Sequence, residues 1–146
     1  MNSITKIKQS QLEEKWFLID VEGQRIGTVS AKIAKILQHK NDPMYRGNLK
    51  PTYKVVVINS DKLDISPKKS IAKFYKHFSG FPGGLRFISL EDQMVKDSTK
   101  VITHAVKGML PKTKRGDMMM ANLYVYKKAD HKHTANHPVI VNINNI

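Results

Sequence analysis

The chain has 146 residues, 25 Lys and Arg against 12 Asp and Glu, a net charge of +13 and an isoelectric point near 9.9. It contains no cysteine, which excludes disulfides and thiolate metal sites and fits a reducing, intracellular setting, and no apolar run approaches the ~18 residues of a membrane span. A chain of this size fits one domain that buries roughly 68–70% of its unfolded surface, and its charge directs it to polyanions: RNA or DNA first, an anionic membrane far behind.

Residues 1–14 read as a polar extension. They carry no apolar block of the secretory type, and Glu13 and Glu14 fit an organelle transit peptide poorly. Trp16-Phe17-Leu18-Ile19-Asp20-Val21 is an almost continuous apolar run, the pattern of a strand buried on both faces. After a turn at Gly23, Ile26, Val29, Ile33, Ile36 and Leu37 fall on one stripe of a helix, which Asn41-Asp42-Pro43 ends. A basic loop with Lys40, Arg46 and Lys50 leads to Val55–Ile58, a second buried strand rich in β-branched residues. Strand, helix and strand make a βαβ unit, which implies a parallel pair joined by a right-handed crossover.

Lys62–Ser66 reads as a short strand or a turn, interrupted by Pro67. Lys73–Phe78 alternates, with Phe74 and Phe78 on one face as candidate core residues, and Ser79–Gly84 is a loop. Ser89 followed by Glu91 and Asp92 predicts a helix start running to about Lys96. A second helix begins near Ser98 or Thr99, with Val101, Ile102, Ala105, Val106 and Met109 inward. It ends in the stretch Ala105–Gly116, which breaks at Gly108 and Pro111 and exposes Lys112, Lys114 and Arg115. Asp117–Ala121 is a candidate short helix, Leu123–Tyr126 a last strand, and 131–146 an irregular tail. The economical answer is a single α/β domain over 1–146, with one sheet and helices on both faces.

The charge is directed rather than spread. From Ile65 to Leu90 there are five cations and no acid; from Lys100 to Lys128 there are seven cations and one acid, Asp117. Lys68, Lys69, Lys73, Lys76 and Arg86 mingle with Tyr75, His77, Phe78 and Phe81, and Gly83 and Gly84 permit close backbone approach. Cations for phosphates interleaved with rings suit irregular RNA. A loop stiffened by Gly108 and Pro111 suits Lys107, Lys112, Lys114 and Arg115 to gripping phosphates, since it loses less entropy on binding. Enzymatic chemistry finds less support. The Gly23–Thr28 turn lacks both the G-x-G-x-x-G and the P-loop spacings, and the acids do not gather. His131, His133 and His137 give an H-x-H-x₃-H spacing open to zinc, or to hydrogen bonding and stacking on RNA or on the domain itself.

Several strings together resemble one family. They are Trp16–Asp20 with Gly23 and Gly27; Val57-Ile58-Asn59-Ser60-Asp61-Lys62; Tyr75 and His77 with Ser79-Gly80 and Pro82-Gly83-Gly84; Ala105–Lys112; Leu123-Tyr124-Val125-Tyr126; and Asp130-His131-Lys132-His133 ending in Pro138. This combination, spanning Trp16 to about Pro138, is similar to the ribosomal protein L13 family of the large subunit, in its bacterial or organellar form. The resemblance implies a three-layer α/β/α sandwich around a small, largely parallel sheet, with basic loops and an irregular C-terminal tail. It implies a non-enzymatic protein that binds large-subunit rRNA early in assembly beside neighbouring ribosomal proteins, without cofactor, metal, membrane or small-molecule substrate. Its implied RNA-facing residues include those named above together with His131 and His133. Departures from the family pattern are Thr52-Tyr53-Lys54 before the second strand, Ser66-Pro67-Lys68-Lys69, and Met118-Met119-Met120 where cations are usual after Arg115. The alternatives are a nucleotide-dependent enzyme using the Gly23–Thr28 turn, and a free regulatory RNA binder using the same basic surface.

Overall fold

Residues 12–43 and 47–143 are described by a computed structural model. Strand β1 (Trp16–Asp20), helix α1 (Ile26–Leu37) and strand β2 (Lys54–Ile58) form the expected βαβ unit, with β1 and β2 parallel and Ile19 beside Val57. Strand β5 (Leu123–Val125) joins the far side of β2 and strand β6 (Val139–Ile140) the far side of β1, giving a four-stranded sheet in the order β5-β2-β1-β6 whose described pairings are all parallel. The mixed α/β class with a largely parallel sheet is therefore as the sequence implied.

Period-two alternation divides the sheet into two faces. Phe17, Ile19, Val55, Val57, Leu123 and Val125 enter one apolar cluster with Val29, Ile33, Ile36 and Leu37 of α1. Ile102 and Val106, and Met119 further on, complete it from the later helices. Each fully buried aliphatic contributes about 1.5–3 kcal/mol. The alternate positions combine Leu18 and the fully buried Val56 with rings. Trp16 stacks on Tyr124 at 5.7 Å, His133 lies 5.0 Å from Trp16 and 4.4 Å from Tyr124, and the Lys54 ammonium sits 4.8 Å from the Trp16 ring. Trp16, Phe17 and Leu18 are only half-buried, where the sequence suggested burial on both faces.

Helix α1 ends at Leu37, before Asn41-Asp42-Pro43, because His39 adopts a left-handed conformation with φ of 59°. Its buried imidazole accepts hydrogen bonds from the backbone N–H groups of Thr52 (3.0 Å) and Tyr53 (3.2 Å), and the Tyr53 ring stacks on it at 3.8 Å. The Tyr53 hydroxyl then donates to Asp42 at 2.7 Å. Tyr53, a departure from the family pattern, thus fastens the basic loop to the start of β2.

Pro67 begins helix α2 (Pro67–Ala72) rather than interrupting a strand, since its missing N–H is harmless in a first turn. Strand β3 (Phe74–Phe78) pairs antiparallel with β4 (Leu85–Ser89), a strand that the sequence pattern does not reveal, to make a hairpin separate from the main sheet. Phe74 and Phe78 are exposed, contrary to their expected place in the core. Tyr75 and Ile88 form the half-buried inner face, Tyr75 packing against a second apolar cluster of Ile26, Leu90 and Val101.

Helix α3 (Leu90–Met109) starts as predicted: the Ser89 hydroxyl accepts from the Asp92 N–H at 3.1 Å. Extended backbone at Asp97 (φ −163°, ψ 97°) divides it into the two expected helical segments. The second runs through Gly108, so the break falls at Leu110-Pro111, and Met109 is exposed rather than inward. Helix α4 (Lys114–Ala121) begins earlier than Asp117. Within its methionine run Met119 is buried in the core and Met120 packs against it, which gives these residues a packing role where cations were usual. The tail is less irregular than expected: a 3₁₀ turn at Thr134–Asn136 precedes β6, and Ile143 enters the core.

One polar knot holds the halves together. Asn59, at φ 62°, donates through its side chain to Asp20 at 2.9 Å. The Ser60 hydroxyl shares a 2.7 Å hydrogen bond with Ser98, whose hydroxyl also donates to Asp61. The N–H groups of Asn59, Ser60 and Asp61 donate to the carbonyls of Lys128, Tyr126 and Lys127. Removing one member orphans buried polar groups, a loss of about 1–3 kcal/mol. Ser98→Ala should lower the free energy of unfolding by that amount in urea denaturation. Asn59→Val should cost more than Asn59→Gly, because valine resists positive φ while both lose the bond to Asp20.

Candidate nucleic-acid interface

The inner face of the β3–β4 hairpin and the outer face of α3 enclose a cleft of about 610 Å³. His77 and Arg86 reach it from the inner face of the hairpin, Lys76 borders it from the opposite face of β3, and Lys96, Lys100, His104 and Lys107 come from α3; Tyr75, Ile88, Gln93 and Thr103 complete the lining. No carboxylate is among these residues. Tyr75 stands at the centre, its ring edge-on to His104 at 5.1 Å and 5.3 Å from the Lys73 ammonium, and burial pushes its phenol above the usual pKa. Lys100 has one loose ion pair, 3.9 Å from Asp97, which also faces Lys127 at 3.8 Å. Among the described residues no carboxylate forms an ion pair with Lys76, Arg86, Lys96 or Lys107.

The structure therefore gathers Tyr75, Lys76, His77, Arg86 and Lys107, which the sequence had singled out, and adds Lys96, Lys100, Thr103 and His104, which it had not. Positions 100, 103, 104 and 107 share one face of the second segment of α3, so the same period that revealed the apolar stripe could have revealed them, while Lys96 joins them from the segment before Asp97. Lys107 also borders a smaller recess of about 230 Å³ with Leu110, Pro111, Lys112, Gly116 and Met120. Lys112 and Lys114 are exposed there. Arg115 turns inward and donates to the Gly47 carbonyl, fastening the basic loop rather than extending the exposed patch. Lys68 and Lys69 are exposed on α2, and Gly83 (φ 72°) and Gly84 form the hairpin turn. Lys40 lies beside Lys35 near the end of α3, Lys50 is exposed in the loop, and Arg46 is outside the described residues.

His131 and His133 face their own chain. His133 joins the Trp16–Tyr124 stack and hydrogen-bonds the Tyr126 hydroxyl at 3.0 Å, while His131 Nδ1 accepts from the His133 N–H at 3.3 Å. Among the described residues no three His, Cys, Asp or Glu side chains group as metal ligands. The Gly23 turn closes on its neighbour: Gly23 N–H donates to the Lys62 carbonyl at 2.9 Å and Arg25 lies 3.7 Å from Asp64.

Comparison with known proteins decides the ancestry of this arrangement. The family described as Ribosomal protein L13 matches residues 14–132. The chain belongs to the ribosomal protein L13 family. It is 46% identical over 131 residues to the large ribosomal subunit protein uL13 of Caldanaerobacter subterraneus, covering 90% of this chain and 92% of the relative. The uL13 proteins of Petrotoga mobilis (41%, covering 95% and 92%) and Spiroplasma citri (36%, covering 99% of both) are likewise similar. The L13 match encloses the cleft, the polar knot and the Ala105–Gly116 turn, and ends before β6. As an L13 protein the chain is a structural protein rather than an enzyme.

Two side chains give this framework measurable signatures. Burial holds His39 below its ordinary 6.5; Asp42 opposes this, and Arg115 reinforces it. Burial and then His131 lower His133. Below pH 6.5 the unfolded chain therefore binds more protons than the folded one, so stability is full above that value and declines as pH falls toward the folded-state pKa values. Urea midpoints should drop across this window. His39→Gln should be less stable at pH 8 and show a shallower pH dependence. Gly116 forms a close approach: a Cβ there would run into the Pro111 carbonyl. Gly116→Ala should cost about 1–3 kcal/mol by overpacking, visible as a lower melting temperature.

Proposed function

We propose that this chain is a constituent of the large ribosomal subunit that binds large-subunit rRNA and supports early subunit assembly in the cytoplasmic ribosome. The carrying observation is the cleft between hairpin and α3, where cations from separate elements converge without a lining carboxylate, in a chain similar to proteins named for the large ribosomal subunit. Folded RNA offers closely spaced phosphates at bulges and loops, and such a cleft neutralises several at once. Lys68, Lys69 and Lys73 extend the contact along α2, and Lys107, Lys112 and Lys114 carry it to the turn before α4. Lys40, Arg46, Lys50, Gly83 and Gly84 are peripheral candidates for contacts with RNA. Neighbouring large-subunit proteins are the accompanying partners.

The salt dependence of rRNA binding tests this. Engaging ~6–10 phosphates weakens affinity by roughly 10³–10⁵ between about 50 and 200 mM salt. The triple variant Lys96→Ala, Lys100→Ala, Lys107→Ala should bind rRNA more weakly, with a salt slope shallower by about one for each phosphate no longer neutralised. Its folding should be nearly unchanged. An unaltered slope would show that the cleft does not hold phosphates, and a native chain that never sediments with the large subunit would end the assignment.

A further inference from the structure

The outer face of the hairpin is unlike the cleft behind it. Cross-strand pairing places Phe74, Lys76 and Phe78 on the same face as Phe87 and Leu85, with Phe78 opposite Leu85 and Lys76 opposite Phe87. Phe74, Phe78 and Phe87 are 54%, 63% and 55% exposed, and Phe81 at the turn is 75% exposed. The Lys76 ammonium lies 5.8 Å from the Phe87 ring. The apolar residues are mostly flat rings, a lysine stands among them, and the sequence from Ile65 to Leu90 contains no acid.

We propose that this face is a stacking platform for unpaired bases of single-stranded RNA, Phe78 and Phe87 each receiving one base. The inference rests on the rRNA-binding reading above and extends it from phosphates to bases. Charge complementarity selects the occupant: the cores of protein–protein interfaces are depleted in Lys, whereas a nucleic-acid strand needs cations beside the rings that hold its bases. Lys76 supplies one on the face itself, and exposed Lys68 and Lys69 lie in the helix leading into β3. Phe78 and Phe87 are diagonal neighbours, for which the spacing is about 7–8 Å. Bases stacked on each other are ~3.4 Å apart, so the platform takes a splayed strand with one base per ring. Aromatic faces accept any base, so the contact carries little sequence preference. The hairpin then engages RNA on both sides, with phosphates in the cleft and bases outside.

The test compares the full chain with Phe78→Ala/Phe87→Ala and Phe78→Tyr/Phe87→Tyr variants. Fluorescence anisotropy is read with labelled oligoadenylate, with an abasic oligomer of equal length and charge, and with large-subunit rRNA. Expected is a loss of roughly 5- to 150-fold per ring on oligoadenylate for the alanine variant, with unchanged abasic binding, unchanged salt slope and retained affinity in the tyrosine variant. An alanine variant that binds oligoadenylate like the wild type, or loses abasic binding equally, overturns the platform. So does a wild-type chain that binds rRNA but does not prefer base-bearing oligomers, and this outcome leaves the rRNA-binding function intact. If the alanine variant keeps RNA binding but loses association with RNA-free ribosomal proteins, the face is a protein-docking surface and the proposal fails. Failure of the wild type to bind rRNA defeats the underlying functional reading and the platform with it.

Discussion

The placement of the cationic cleft depends on a polar knot at the end of β2. There the chain leaves the sheet through Asn59, Ser60 and Asp61, and three elements converge: the end of β1 through Asp20, the segment after β5 through backbone carbonyls, and the middle of α3 through Ser98. Ser60 and Ser98 are fully buried, so their shared hydrogen bond exists where water cannot replace it. The same junction sets the kink of α3. Asp97 leaves helical geometry and its carboxylate accepts from the Thr99 N–H and hydroxyl, a local N-cap for the second segment. That segment carries Lys100, His104 and Lys107 to face His77 and Arg86.

The βαβ unit was plain in the sequence for physical reasons. β1 is a nearly continuous apolar run, β2 is dense in β-branched residues and the stripe of α1 matches the helical period, so local preference and tertiary burial agree. The two segments of α3 were legible because Ser89 and the Asp97–Thr99 region carry capping chemistry. Other elements lacked such agreement. The hairpin partner β4 was hidden because its apolar alternation, Leu85 and Phe87, points outward, and pattern reading assumes that apolar means buried. Pro67 was ambiguous because the residue that stops a strand also starts a helix. Strand β6 is too short to show a period and is fixed only by pairing with β1. The cleft was half-visible: its hairpin cations stand out in an acid-free segment, while those on α3 are diluted among Glu91, Asp92 and Asp97.

Rings show how the same residue type serves two ends. His133 is a candidate RNA contact by sequence, yet it stacks with Trp16 and Tyr124 of the strands and holds the tail against the sheet. Tyr53 does similar work against His39. The hairpin phenylalanines have no comparable partner among the described aromatic contacts, and only Lys76 approaches Phe87. What separates a structural ring from a candidate contact is therefore whether the fold already supplies its neighbour, which sequence alone does not reveal.

The charge asymmetry follows from how the few acids are used. Asp20 bonds Asn59, Asp42 bonds Tyr53, Asp61 bonds Ser98, Glu91 bonds Ser70, and Asp92 accepts from the hydroxyl of Ser89, the cap of α3. Glu14, Glu22 and Asp64 pair with Lys54, Lys62 and Arg25, away from the cleft. Exposed pairs of this kind contribute only about 0–1 kcal/mol each, so their main consequence is positional. Carboxylates engaged in caps and joints are unavailable to neutralise the cations that line the hairpin and α3. Those cations repel one another, a modest destabilisation of the free chain that a bound polyanion converts into attraction. Binding to the folded state alone then adds stability by mass action. On the rRNA-binding function proposed above, the same unneutralised cleft that disfavours the isolated protein favours its assembly with RNA.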